Sequence, residues 1–338
     1  TDSILLVSGK ANAWQTAKTN SAIQKITYSG KALQPFTTYF WQVKVWDKDG
    51  KPGSLSDIQR FETGMMDMKN WKGSWISDTR DIHLKPAPYF RNVFKATEKI
   101  RSARAYIAVA GLYELSVNGK TISDHRLDPM YTRFDRRNLY VTYDITQQLK
   151  AGDNAIGVLL GNGWYNHQST AVWYFHEAPW RARPAFCMDI RITYENGSIE
   201  TIVTGKKWKT SLSPVIFNSI YTAEHYDSRL EQNGWNTTSF VDSSWKDVMY
   251  RAAPSTNIVA QTLHPIRNVE KIETKTLNRI GDSVYVFDLG RNISGVAEIT
   301  VAGEAGTIVR LKHAERIYAN GRVDQSNIDV HYRPTDNS

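Results

Sequence analysis

The 338-residue chain has one cysteine, Cys187, so it can hold neither an internal disulfide framework nor a cysteine metal cluster. A lone thiol of this kind reads as a small buried apolar side chain. No apolar run approaches the roughly 20 residues that a membrane span needs, so no span is expected. The opening TDSILLVSGK lacks the charged start and apolar stretch of a signal peptide. A basic arm is missing too. The net charge is +8, but residues 1–66 carry 8 Lys and Arg against 5 Asp and Glu, residues 67–266 carry 24 against 19, and residues 267–338 carry 10 against 10. Charge this dispersed argues against nucleic acid, and local groups such as Arg133, Arg136 and Arg137 read as solvated faces.

Helical periodicity is nearly absent as well. The one helical moment is DITQQLKAG, where Asp144 can cap a single turn that ends at Gly152. Elsewhere the period is two. In TTYFWQVKVWDKDG, Tyr39, Trp41, Val43 and Val45 share one face, predicting a half-buried strand closed by a turn at residues 47–50. In LYELSVNGKTI, Tyr113, Leu115 and Val117 alternate into Asn118-Gly119, a strong hairpin signal. Many short, turn-punctuated strands predict an all-β chain of consecutive β-sandwich or jelly-roll domains. Composition changes place the units at 1–66, 67–264 and 265–338. A seven-stranded immunoglobulin-like sandwich takes roughly 100 residues, so the first unit, and likewise the last, is expected to be truncated.

Chemistry-bearing residues gather in three places. In FDLGRNISGVAEITVAGEAGTIVRLKHAERI, the alternation predicts a strand that puts Thr307, Val309, Leu311, His313 and Glu315 on one face. His313 and Glu315 resemble an acid/base pair, but no nucleophile or second carboxylate follows at useful spacing, so no catalytic residue is assigned. LGNGWYNHQSTAVWYFHEAPW combines aromatics with amides and carboxylates, the combination that stacks on a sugar ring and binds its hydroxyls. Asn162, Trp164, Tyr165, Trp173 and Trp180 are therefore candidate carbohydrate-binding residues. The segment of residues 220–248 adds Glu224 and Asp227, with Arg229 as a salt-bridge partner. His167 and His176 lack the spacing of a zinc site.

Together these segments resemble one family. Asp288, Leu289, Gly290, Asn292, Gly295, Gly303, Gly306, His313, Ala314 and Glu315 fit the signature of bacterial α-L-rhamnosidases, with Arg291 where glutamine is usual. TYFWQVKVWDKDG and FETG resemble the closing strands of the family's fibronectin-III-like domain. YFRNVF, LGNGWY, AEHYDSR and FVDSSWKDV resemble its jelly roll, with Ala223 and Ser228 departing from the usual motif. The resemblance implies an inverting glycoside hydrolase that removes terminal α-L-rhamnose from glycans. Its acid and base would lie in an (α/α)6 barrel C-terminal to these β domains, leaving His313 and Glu315 as scaffold. It also implies a periplasmic or extracellular location, and, as in some members, a jelly roll that binds rhamnose with a calcium ion. Two alternatives stay open: a stand-alone carbohydrate-binding or adhesion protein, and the accessory domains of another multidomain glycosidase.

Overall fold

The computed structural model describes residues 9–171 and 173–327, together with Ser3, Leu6 and the backbone of Tyr332 and Arg333. Its regular structure is almost entirely β, with three single-turn 3-10 helices. No helix among the described residues is long and apolar enough to cross a membrane.

Two sheets carry the middle of the chain. The first runs Met249–Tyr250, Ile76–Ser77, Ala185–Tyr194, Ile100–Ala110, Asn138–Asp144 and Ile258–Ala260, with Ile199–Val203 also paired to Ala185–Tyr194. The second runs Lys246–Asp247, Lys209–Leu212, Pro88–Ala96, Gly152–Gly161, Leu112–Val117 and Lys120–Thr121. Pairing within both is antiparallel except that Ile258 lies parallel to Asn138. Between the sheets lie Phe90, Ile107, Val109, Leu115, Ile156, Val158, Phe186, Ile190 and Trp208, all buried. Burying an aliphatic or aromatic side chain contributes roughly 1.5–3 kcal/mol, so this core dominates the stability of the sandwich.

The strand Ile100–Ala110 explains where the functional surface sits. Ala105, Ile107 and Val109 face the inter-sheet core, whereas Tyr106, Ala108 and Ala110 face a second cluster with Met65, Trp75, Phe134, Tyr140 and Tyr165. Covered on both faces, the strand reads as an unbroken apolar run instead of an alternating one. The second cover is built from Met65 to Trp75 and from two loops, 127–137 and 162–184, which bring Phe134 and Tyr165 onto the sheet.

Several expected elements form. Tyr113, Leu115 and Val117 all point inward, and Asn118 (φ 50°) and Gly119 (φ 83°) make the tight turn, both left-handed as a type I′ hairpin requires. Asp144 accepts from Thr146 N (3.1 Å) and caps a single turn in which Leu149 N donates to Ile145 O (3.2 Å).

Two expectations are corrected. The stretch from Thr38 to Trp46 is two short strands, Thr38–Trp41 and Lys44–Trp46, each with a single partner strand. Tyr39 is buried, but Trp41, Val43 and Val45 are exposed, because a two-stranded pairing offers nothing to cover their face. Residues 307–315 form no strand, and Val309 and Leu311 are exposed. The hairpin Thr276–Ile280 with Val284–Asp288 does form, and Arg316–Ile317 pairs with Val323–Asp324. His313 and Glu315 are therefore exposed in irregular chain, where the His313 carbonyl accepts from Gln325 Nε2 (3.1 Å).

Candidate functional site: an aromatic loop on the seven-stranded sheet

The strand Gly152–Gly161 leaves the second sheet at a bend that Gly163 (φ 49°) permits, and the chain enters the loop 162–184. Amides hold that loop in place. Asn162 N donates to Asn218 Oδ1 (2.7 Å) and Asn162 Nδ2 to Asn218 O (3.0 Å), tying the loop to the strand Val215–Asn218. Asn166 Nδ2 donates to Asn162 Oδ1 (3.1 Å) and Ile82 O (3.1 Å), while Asn166 Oδ1 accepts from Arg181 Nε (3.0 Å). Arg181 also donates to His176 O (2.8 Å), which closes the loop on itself. At its exit Arg183 is fully buried and makes a two-pronged contact to Asp78, through Nε (2.9 Å) and Nη2 (2.8 Å).

On this frame sits a group of rings. Tyr165 is buried against Phe134 (5.1 Å between centroids). Trp164 is half-buried, with Phe175 at 5.0 Å, Tyr221 at 5.3 Å and Tyr131 at 5.9 Å. It lies flat on His167, at 6.2 Å with 10° between the ring planes. Trp180 Nε1 donates to Trp164 O (3.3 Å), so these two tryptophans are held together.

His167 is completely buried, and burial, with His176 and Arg181 as weaker contributors, lowers its pKa to about 4. The ring is therefore neutral at pH 7. Its Nε2 shares a hydrogen bond with Ser169 Oγ (3.1 Å), which in turn contacts Ser219 Oγ (3.2 Å). Its Nδ1 has no partner, and neither do the buried His176 Nδ1, Asn218 Nδ2 and Thr222 Oγ1. An unpaired buried polar group costs about 1–3 kcal/mol, so four of them on two touching loops mark a place where hydrogen bonds to another molecule are expected.

The seven residues singled out in the sequence have different surroundings. Asn162, Trp164, Tyr165 and Trp180 come together, but Asn162 and Tyr165 are buried and act as frame. Trp173 is 67% exposed, near the tip of the same loop. Glu224 pairs with Asn218 in the next strand, and loss of hydration, followed by the Glu114 carboxylate, raises its pKa. Asp227 accepts from Arg229 Nε (2.8 Å) and Nη2 (2.6 Å) and caps the turn Ser228–Leu230, which lowers its carboxyl pKa. Sequence reasoning missed Tyr131, Phe134, Asn218, Tyr221 and Thr222. Of these only Tyr131 and Phe134, an aromatic pair in the polar stretch YTRFDRR, carried a local signal.

Among the described residues no group of three or more His, Cys, Asp or Glu side chains gathers to hold a metal ion. The unpartnered atoms of the loop are three nitrogens and one hydroxyl, a set that does not fit the six to eight oxygens calcium takes. A separate cleft of about 340 Å³ lies beneath residues 121–128, but its polar groups are already matched. There Asp128 takes His125 Nδ1 (2.8 Å), Tyr143 Oη (3.1 Å) and Gln261 Nε2 (3.0 Å). The cleft is the seam at which His125–Arg126 pairs with Ile266–Arg267.

The geometry defines an all-β protein whose central jelly roll carries an aromatic, amide-framed loop. Residues 98–270, more than half the chain, match the α-L-rhamnosidase N-terminal domain. Residues 3–67 match the Rha78A-like N-terminal immunoglobulin domain, and residues 278–337 the bacterial α-L-rhamnosidase concanavalin-like domain. The chain belongs to the bacterial α-L-rhamnosidase family. An α-L-rhamnosidase of Formosa agariphila is 31% identical over 346 residues, covering 92% of this chain and 35% of that protein. One from Alteromonas sp. strain LOR is 30% identical, covering 90% and 34%. The chain thus spans about a third of the length of these curated relatives. The α-L-rhamnosidase structure from Dictyoglumus thermophilum superposes with a TM-score of 0.87 at 34% identity, over 98% of this chain and 38% of that one. The Streptomyces avermitilis enzyme, solved with L-rhamnose, superposes at 0.88 and 21% identity over 95% and 47%, a likeness of fold.

Proposed function

We propose that this chain is the non-catalytic N-terminal β portion of an inverting α-L-rhamnosidase, and that its middle domain binds terminal L-rhamnose of the glycan being cleaved. The division into units at 1–66, 67–264 and 265–338 is part of that reading, as is export to the periplasm or beyond, where polymeric glycans are met. The acid and base are assigned to a helical barrel C-terminal to these domains, because the described residues hold β structure throughout. The observation that carries the binding role is the set of four unpartnered polar atoms beside Trp164, Phe175 and Tyr221. A 6-deoxy sugar offers both halves of what they need, an apolar methyl face for the rings and hydroxyls for the orphaned groups.

The test separates the two roles. The full-length protein should release L-rhamnose from an aryl α-L-rhamnoside while residues 1–338 alone release none. Saturation-transfer NMR on residues 1–338 should report contact with L-rhamnose. Hydrolysis by residues 1–338 would contradict the first role, and absence of transfer would contradict the second.

A further inference from the structure

We propose that the rim of this loop site, formed by Tyr131, Trp173, Tyr174, Arg136 and Arg137, binds an anionic sugar, a uronate or a sulfated residue, next to the terminal rhamnose. The proposal rests on the sugar-binding reading of the loop and extends it to the second unit of the ligand.

Exposure and backbone strain occur together here. Leu127 (φ 55°) and Tyr174 (φ 53°) hold left-handed conformations that bulky residues rarely adopt, and both side chains face solvent, at 57% and 64% exposed. Strain of this kind persists where the surroundings enforce it, and it gathers at binding sites. Here it recovers no burial, since the strained residues are held outward. Four residues after Leu127, Tyr131 packs edge-on against Phe134, Trp164 and Phe175 and still leaves 47% of its surface open. Tyr174 immediately precedes Phe175, so the two loops present their open rings around the same buried cluster. Stacking on open aromatic faces is the usual way a protein holds a pyranose ring.

The charge on this rim is of one sign. Arg133 is paired with Asp135 through Nε (2.9 Å) and Nη2 (3.2 Å). Arg136 and Arg137, exposed in the same turn, have no ion pair among the described residues. The nearest acid on the facing loop, Glu177, is engaged with His176 (3.4 Å). Two free guanidiniums beside open rings, on a chain of net charge +8, match a sugar ring bearing a carboxylate or sulfate. A neutral disaccharide leaves them unused.

Three disaccharides of equal length test this by calorimetry on residues 1–338: rhamnose linked to glucose, to glucuronic acid, and to a sulfated glucose. The charged ligands should bind about three- to tenfold tighter than the neutral one near ~0.1 M salt, the range expected of two exposed ion pairs. The advantage should shrink near ~1 M salt, where screening falls to about 3 Å. The paired variant Arg136→Gln with Arg137→Gln should erase the difference while leaving neutral binding intact. A gain with only one of the charged ligands would identify which anion is read. Equal binding of all three, or an advantage that survives the arginine variant, would overturn the rim proposal and leave the rhamnose reading standing. Failure of all three to bind would overturn both.

Discussion

Trp164 lies parallel to His167, and the imidazole it covers has one ring nitrogen bonded to Ser169 and the other without a partner. A neutral, buried histidine capped by an indole is poised to hydrogen-bond a hydroxyl, and that pair is the centre of the site.

Removing the indole should therefore cost more than packing. Trp164→Ala is expected to weaken L-rhamnose binding by an order of magnitude or more, and to lower stability by about 1–3 kcal/mol, less than for a fully buried tryptophan. Trp173→Ala, at an exposed position, should stay within about 0.5 kcal/mol of the parent. Denaturant melts of the three proteins measure the stabilities.

The depressed His167 pKa predicts a pH dependence of stability. Between pH 6.5 and about 4 the unfolded chain takes up a proton at this histidine and the folded chain does not, so stability falls with falling pH across that window. The loss from this one group reaches roughly 3 kcal/mol, and it is complete below the folded value. His167→Gln should flatten the slope between pH 4 and 6.5 in melts run at intervals across the window. An unchanged slope would mean that the buried ring is charged.

Asp78 and Arg183 hold both ends of the site segment. Arg183 also donates to Leu84 O (2.7 Å) and Pro86 O (2.7 Å), so its guanidinium is fully satisfied while buried. Asp78→Ala strands a buried cation and should destabilise the protein by about 3–5 kcal/mol. Thermal unfolding reads this directly.

Calcium removal should leave L-rhamnose affinity unchanged, since the loop's unpartnered atoms are mostly nitrogens. Calorimetry in chelator and in calcium compares the two, and a loss in chelator would place an oxygen-rich shell elsewhere in the sandwich. Asp227→Asn should likewise leave binding unchanged, because its carboxylate is already committed to Arg229.

How far the sequence was legible follows from how local each signal is. The Asn118-Gly119 hairpin, the Asp144 cap and the inward face of Tyr113, Leu115 and Val117 are decided within a few residues, and all form. The alternation of Trp41, Val43 and Val45, or of Thr307 to Leu311, describes only a capacity to pair. Burial needs strands alongside, and those segments have few or none among the described residues. Family membership was legible in motifs because motifs are local too. The loop site was legible only in part. Trp164 and Trp180 stand in one stretch, but Tyr131, Asn218, Tyr221 and Thr222 reach the site through sheet pairings between distant segments, which no spacing records. The fate of Asp227 was equally hidden, since its neighbour Arg229 is as suited to a ligand's carboxylate as to its own.

The central claim, that the jelly roll binds rhamnose through the Trp164 and His167 pair, is tested most directly by tryptophan fluorescence of residues 1–338 titrated with L-rhamnose, in parent and Trp164→Ala proteins. Saturable quenching in the parent that disappears in the variant is the predicted result. A flat titration in the parent, or quenching that survives loss of Trp164, would contradict it.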